Sequence, residues 1–353
     1  PELCRTVFGR VPENWLVGCF RHLYIGYATE KDIRRQAASA GILTQTLIYL
    51  LQEGHIDGAV VVRQGSPKPW LAEPMIARTV DEIRAASQSV YAPVPVNTVL
   101  DKMSAFSGKL AYVGLPDQVA SLRRLQQLNH PGACKVSVVL GPYVGTNLYG
   151  EAIVSYLRAN GIANLDQVTR LRYREGEWPG YLQVETKDGR ILRAEKFYYN
   201  YLIPFYVTRS TLFSVDFTNE LTDFSVGDAW NPSIEAQRRG FSVVIARTER
   251  GEQLLKELVD KRLLSLAEIS VEEGMAMHGH MLDFKKRGSF VRLRWRSAIG
   301  RPIPEYGYSP SHIPMSRQLT EMVISLLFAL CGTSMARRLV ELIPIGVLGP
   351  AFD

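Results

Sequence analysis

Residues 109–140 read KLAYVGLPDQVASLRRLQQLNHPGACKVSVVL. The short apolar run Lys109–Val113 has the length and β-branched, aromatic character of a buried strand. Gly114-Leu115-Pro116-Asp117 turns the chain into a helix from Gln118 to about Leu128, and Lys135–Leu140 is again a strand. A further helix is expected from about Asn147 to Ala159. Strand–helix alternation at this spacing is the pattern of an α/β unit.

Upstream, a helix is plausible from Lys31. Leu43, Leu47, Leu50 and Leu51 recur at helical spacing and line one face before Gly54, and Ile56–Val62 reads as another buried strand. Thr79 with Glu82 three residues on is a capping box. Residues 1–27, with proline, glycine and several aromatics, read as irregular. Downstream the texture changes: Arg170–Arg174, Tyr181–Thr186 and Arg190–Glu195 read as strands, the last two joined by the hairpin signal Lys187-Asp188-Gly189. A helical stretch is expected near Tyr199–Phe213, a strand at Phe241–Arg247 and a helix at Gly251–Arg262. The predicted fold is mixed α/β, a sheet flanked by helices with an antiparallel hairpin region and a C-terminal helical tail, and it is not a doubly wound Rossmann domain. The segments are 1–105, 106–284 and 285–353.

The 353 residues exceed a comfortable single domain. Their 46% hydrophobic and 22% charged content rules out wholesale disorder. Net charge is +6 with pI about 9.1, a mild basic bias that demands no nucleic acid. Seven basic residues, Lys285, Lys286, Arg287, Arg292, Arg294, Arg296 and Arg301, crowd residues 285–301 beside Phe290 and Trp295, giving a docking surface for anions, a solvated face or an alternating edge strand. Met322–Ala336 is uncharged but too short to span a bilayer, and reads as a buried or interfacial helix. Cys4, Cys19, Cys134 and Cys331 have no ligand spacing, so no metal site is expected. His278-Gly279-His280 reads as a surface loop. No signal-peptide pattern is visible, and a reducing cytoplasm is the expected compartment. G-x-G-x-x-G after a strand, G-x-x-x-x-G-K-[ST], H-E-x-x-H and G-x-S-x-G are missing, which argues against the usual nicotinamide dehydrogenases, P-loop enzymes, zincins and serine hydrolases.

Six strings supply a resemblance. They are Arg34–Gly41 (RRQAASAG) leading to Gly54–Gly58 (GHIDG), Ser87–Tyr91 (SQSVY), Gly114–Gln118 (GLPDQ), Arg172–Gly180 (RYREGEWPG), Ser225–Trp230 (SVGDAW), and Gly240–Ser242 with Arg247, Thr248 and Gly251. In this order the chain resembles the beta-subunit family of coenzyme F420-reducing hydrogenase. The resemblance implies a flavoprotein that holds FAD and moves hydride or electrons. It implies cofactor contacts at Arg34, Ser39, Gly41, Ser89, Tyr91, Gly114, Pro116, Gln118, Trp178, Gly180, Asp228, Trp230, Ser242 and Arg247. Some have a plainer alternative: an N-cap for Ser39, a packing glycine for Gly41, a surface ion pair for Arg34, a core ring for Trp178, a turn cap for Asp228. Val90 stands where the family has Lys.

The family also carries an iron–sulfur cluster on soft thiolates. The positions resembling its cysteines are Asp117, Val144, Thr211 and Ser214. With all four replaced, no iron–sulfur cluster is expected. Asp117 becomes the candidate catalytic acid or base, the alternative being a helix N-cap. The expected function is a cluster-free FAD oxidoreductase acting on a small or lipid-linked organic substrate. A coenzyme F420-dependent subunit and a non-catalytic interaction subunit are the alternatives. A homo-oligomer is expected, with a peripheral membrane or protein partner through residues 285–345.

Overall fold

The computed structural model describes residues 1–310 and 312–343, with the side chains of residues 196–198 left aside; residues 344–353 of the expected tail lie outside the described residues. Eleven strands are present among the described residues: β1 (His22–Ala28), β2 (Gly58–Gln64), β3 (Ala72–Ala77), β4 (Leu110–Val113), β5 (Val136–Pro142), β6 (Val168–Glu175), β7 (Tyr181–Thr186), β8 (Ile191–Glu195), β9 (Phe224–Asp228), β10 (Ser242–Ala246) and β11 (Leu264–Ile269). Eight of them form one sheet in the order β11-β1-β10-β9-β5-β4-β2-β3. Its centre, β9-β5-β4-β2, is parallel, while β3, β10, β1 and β11 add antiparallel pairs on the two sides. Strands from either side of residue 105 therefore share one sheet. β6-β7-β8 form a separate antiparallel sheet, with the hairpin at Lys187–Gly189 as expected.

Helices cover both faces of the large sheet, which is why its central strands are near-continuous apolar runs. Val138 and Leu140 of β5 pack with the helices Ile42–Gln52 and Glu249–Asp260. Val136 and Val139 of the same strand pack with Val119 and Leu122 of the helix Pro116–Gln127. A second core joins the small sheet to the helix Glu151–Ala159 through Tyr156, Tyr173, Leu182 and Val184.

Several expectations are corrected. Residues 22–28 are a strand, not irregular chain, and β3, β9 and β11 are additions to the elements expected from the sequence. The 199–213 stretch breaks into a 3-10 turn and two short helices, because Pro204 and Thr208 restart the chain. The basic stretch is helical, continuing into Ser289–Ala298, and Lys285, Lys286 and Arg292 are buried, so they cannot form a docking surface. His278 is buried rather than looped out. The apolar segment forms the helix Met315–Cys331, which meets Ser334–Val340 at a bend of 79°. Among the described residues, no single helix is long and apolar enough to cross a membrane. The longer helix is not buried either: Leu319, Met322, Val323, Leu326, Leu327 and Leu330 are exposed, while its Glu321 is buried between Arg292 and Arg317.

Candidate functional site

β4, β5 and β9 run parallel, so their C-terminal ends share one edge of the sheet, where ligands of α/β proteins sit. Two groups of side chains gather there.

The first is built on β9 and β10, in which Asp228 pairs with Ser242. Ser39 sits in the loop before the helix Ile42–Gln52, and its hydroxyl lies 2.9 Å from the Ser242 hydroxyl. Gly41 starts that helix at φ 78°, a conformation that favours glycine, and no side chain caps its first turn. Arg34 donates to the Gly240 carbonyl from Nε (3.0 Å) and Nη2 (2.8 Å), with its guanidinium 3.7 Å from the Tyr27 ring centre. On the other side of Asp228, the Trp178 indole donates to its carboxylate at 3.4 Å, and the Trp178 and Trp230 rings lie 4.9 Å apart.

Arg174 ties this group together. It pairs with Asp228 at 3.2 Å, donates to the Tyr91 hydroxyl at 3.4 Å and from Nε to the Pro179 carbonyl at 2.5 Å. Burial weighs against its charge, but Asp228 and Tyr91 outweigh that and raise its pKa. Its Nη2 is buried with no hydrogen-bond partner. Gly180 crosses directly over the Arg174 backbone at φ 80°, and a Cβ there would come within 3.1 Å of Arg174 Cα. Ser89 lies in the loop that carries Tyr91.

The second group surrounds a cavity of about 120 Å³. Asp117, Val144, Thr211 and Ser214, the four positions resembling cluster ligands, all line it, together with Pro116, Gln118 and Lys285. They come from the start of the helix Pro116–Gln127, the end of β5 and the short helix Arg209–Phe213 with its cap. Gln118 fixes the turn: its Oε1 accepts from Leu115 N (2.9 Å) and its Nε2 donates to the Val94 carbonyl (2.7 Å). The Gly114 carbonyl accepts from Asn219. Asp117 is exposed along the cavity, yet protein atoms crowd its carboxyl and leave its charge poorly solvated. That burial raises its pKa, against the pull of Lys285 and a 3.4 Å hydrogen bond from Ser214. Oxygen and nitrogen donors are what this cavity offers, and no cysteine lines it. They do not suit a cluster that needs thiolates. Cys4 and Cys19 are buried elsewhere, Cys134 is exposed and Cys331 half-buried. Among the described residues, no group of three or more His, Cys, Asp or Glu could hold a metal ion.

Arg247 stands apart from both groups. It is 2% exposed, and its guanidinium donates to the carbonyls of Val17, Cys19 and Thr218 and to the hydroxyls of Thr218 and Ser225. Two residues central to the geometry do not stand out in the sequence. Arg174 lies inside a quoted motif, but nothing in its spacing sets it apart from Arg170 and Arg172. Lys285 reads as surface charge in a basic run, although Lys285, Ser289 and Arg292 recur at helical spacing and so share one face.

The comparisons with known proteins agree with this architecture. The family model for the C terminus of the coenzyme F420 hydrogenase/dehydrogenase beta subunit matches residues 107–272, and the model for its N-terminal part matches residues 23–101. The coenzyme F420 hydrogenase subunit beta of Methanothermobacter thermautotrophicus is 26% identical over 302 residues, 82% of this chain and 99% of that protein. The coenzyme F420-dependent sulfite reductase of Methanocaldococcus jannaschii is 24% identical over 78% of this chain and 43% of its own length. A chain of the F420-reducing [NiFe] hydrogenase complex of Methanosarcina barkeri superposes with a TM-score of 0.65 at 22% identity, covering 84% of this chain and 99% of its own, which shows a common fold. With both family models matched along more than half of its length, the chain belongs to the coenzyme F420 hydrogenase/dehydrogenase beta-subunit family.

Proposed function

We propose that this chain is a redox subunit that binds FAD and exchanges hydride with coenzyme F420. This reading is carried by the near full-length match to the beta subunit of a coenzyme F420 hydrogenase. It favours a deazaflavin partner over the unspecified organic substrate expected from the sequence.

The residues present fit an anionic dinucleotide. An uncapped helix start at Gly41 offers backbone N–H groups suited to a diphosphate, with the Ser39 and Ser242 hydroxyls and the Arg34 guanidinium beside it. The buried, unpartnered Arg174 Nη2 is a further donor without an acceptor. Bound FAD would supply a carrier able to exchange two electrons with an organic partner. The protein's part is to hold and orient it. Trp178 and Trp230 provide a ring surface, and Arg174 fixes Asp228 and Tyr91 in place. Asp117, with its raised pKa, is a candidate to hold or deliver a proton at the second group. The replaced thiolate positions favour a subunit without an iron–sulfur cluster.

The relatives' names describe them as subunits. The exposed apolar face of Met315–Cys331 is where a partner protein would find a dry surface on this chain.

The test is an absorption spectrum with iron analysis on the purified chain, followed by mixing with reduced coenzyme F420. Flavin bands, no stoichiometric iron, and flavin bleaching on mixing are expected. A protein that stays colourless after incubation with FAD would overturn the reading. Trp230→Ala should weaken FAD binding about two- to tenfold, the worth of one aromatic contact, measured by equilibrium dialysis.

A further inference from the structure

The cavity at the replaced ligand positions has a chemistry of its own. Lys285 is 1% exposed, and its ammonium reaches the cavity lining. Its hydrogen bond to protein goes to the Thr211 carbonyl at 2.9 Å. An ammonium has three N–H donors, so two remain without a protein acceptor among the described residues. A buried cation without an ion-pair partner is costly. Burial pushes the Lys285 pKa down to about 8, so the amine keeps its proton below that pH, and it is aimed into a space several times the volume of a water molecule, about 30 Å³.

The other charged and titratable groups near Lys285 have partners of their own. Asp216 accepts the backbone N–H groups of Asn219 and Glu220, each at 2.8 Å. Arg292 donates to the Leu212 and Phe284 carbonyls and pairs with Glu321. The Tyr306 hydroxyl donates to the Phe213 carbonyl at 3.0 Å. Asp117 and Asp216 both line the cavity and both act on Lys285 through their charge, and Asp117 is held by the Ser214 hydroxyl. Uncharged donors complete the wall. The Thr211 hydroxyl accepts from Thr208 and from Asn147 N, which leaves its own proton free, and Ser210 and Asn147 stand beside it.

We propose that this cavity binds a small oxyanion, a carboxylate or a phosphate group, anchored by the Lys285 ammonium and the Thr211 hydroxyl. Asp216 and, whenever it is ionised, Asp117 oppose the anion, and Asp117 is the one whose protonation adjusts how tightly it is held. The site does not depend on which redox cofactor the chain carries. It would receive the acidic end of an organic ligand, or a free anion of the same chemistry.

The experiment is calorimetric titration of the full chain at pH 6.5 with sodium acetate and, separately, with inorganic phosphate, using chloride as the control. Saturable binding of acetate alone assigns a carboxylate, and of phosphate alone a phosphate group. Saturable binding of both, each competing with the other, fits the shared chemistry. Lys285→Met should weaken binding tenfold or more, and Asp117→Asn should tighten it several-fold by removing a negative charge while keeping the side-chain shape. No saturable binding of either anion to the wild-type chain overturns the proposal. Unchanged affinity in Lys285→Met does so as well. Should that variant fail to fold, Asp117→Asn decides, and an affinity no tighter than wild type counts against the site.

Discussion

His278 shows how much a single side chain can hide. Its ring packs 5.2 Å from Tyr143 and 5.3 Å from Phe217, and its Nε2 has no hydrogen-bond partner. Burial pushes its pKa down to about 4. The folded protein therefore keeps a neutral imidazole where an unfolded chain, with an ordinary histidine pKa near 6.5, takes up a proton. Its contribution to stability is whole above about pH 6.5, falls as pH drops, and is lost by about pH 4. Wild type should lose about 2 kcal/mol between pH 7 and pH 5 through this residue, and His278→Phe should lack that component of the slope in urea unfolding at the two pH values. Neither His278 nor Lys285 is legible as buried from the sequence, since both are polar types that usually face water. Asp117, Trp178 and Asp228 are legible as a set because they sit inside ordered motifs. Their division into two groups is not, because β9 and β4 lie more than a hundred residues apart in the chain.

At the scale of elements, the loop before Ile42–Gln52 and the start of β10 are pressed together. A Cβ on Gly240 would stand 2.4 Å from the Ser39 carbonyl oxygen, a backbone atom that cannot swing aside. Gly240→Ala should cost about 1–3 kcal/mol of stability, read from the denaturant midpoint, and should displace Ser39 from Ser242. The helices and central strands of the large sheet follow from apolar spacing, and the Thr79 capping box is present as expected. The strands that apolar spacing misses have identifiable reasons. β1 is interrupted by Gly26, whose place is dictated by the Ser265 carbonyl pressing on it from β11. β3 carries Pro74 and ends the sheet, where a proline is tolerated. β11, at the opposite edge, reads LSLAEI and keeps no strict alternation, since Leu264 and Leu266 share one face and Ile269 falls on the other, too weak a signal beside the preceding helix.

Across the whole molecule, the helix Met315–Cys331 is mounted inside out. Its buried anchor is a carboxylate, Glu321, held by Arg292 and Arg317, while a row of leucines, Met322 and Val323 faces outward. Substituting Val323 and Leu327 together with Asp should leave the unfolding free energy within about 0.5 kcal/mol per site, because neither side chain is packed into this chain's core. Glu321→Leu should destabilise by about 3–5 kcal/mol, because two guanidinium groups lose their buried partner. Thermal and urea unfolding of the two variants side by side distinguishes these outcomes. The sheet itself carries a further consequence. β1 lies between β10 and β11, and His22 pairs with Ala246, roughly 220 residues later. At a synthesis rate of about 5–20 residues per second, β1 is made about 12–48 s before both of its neighbours exist. For that interval a newly made strand of sequence HLYIGYA has both edges bare, and bare strand edges are templates for pairing with other chains.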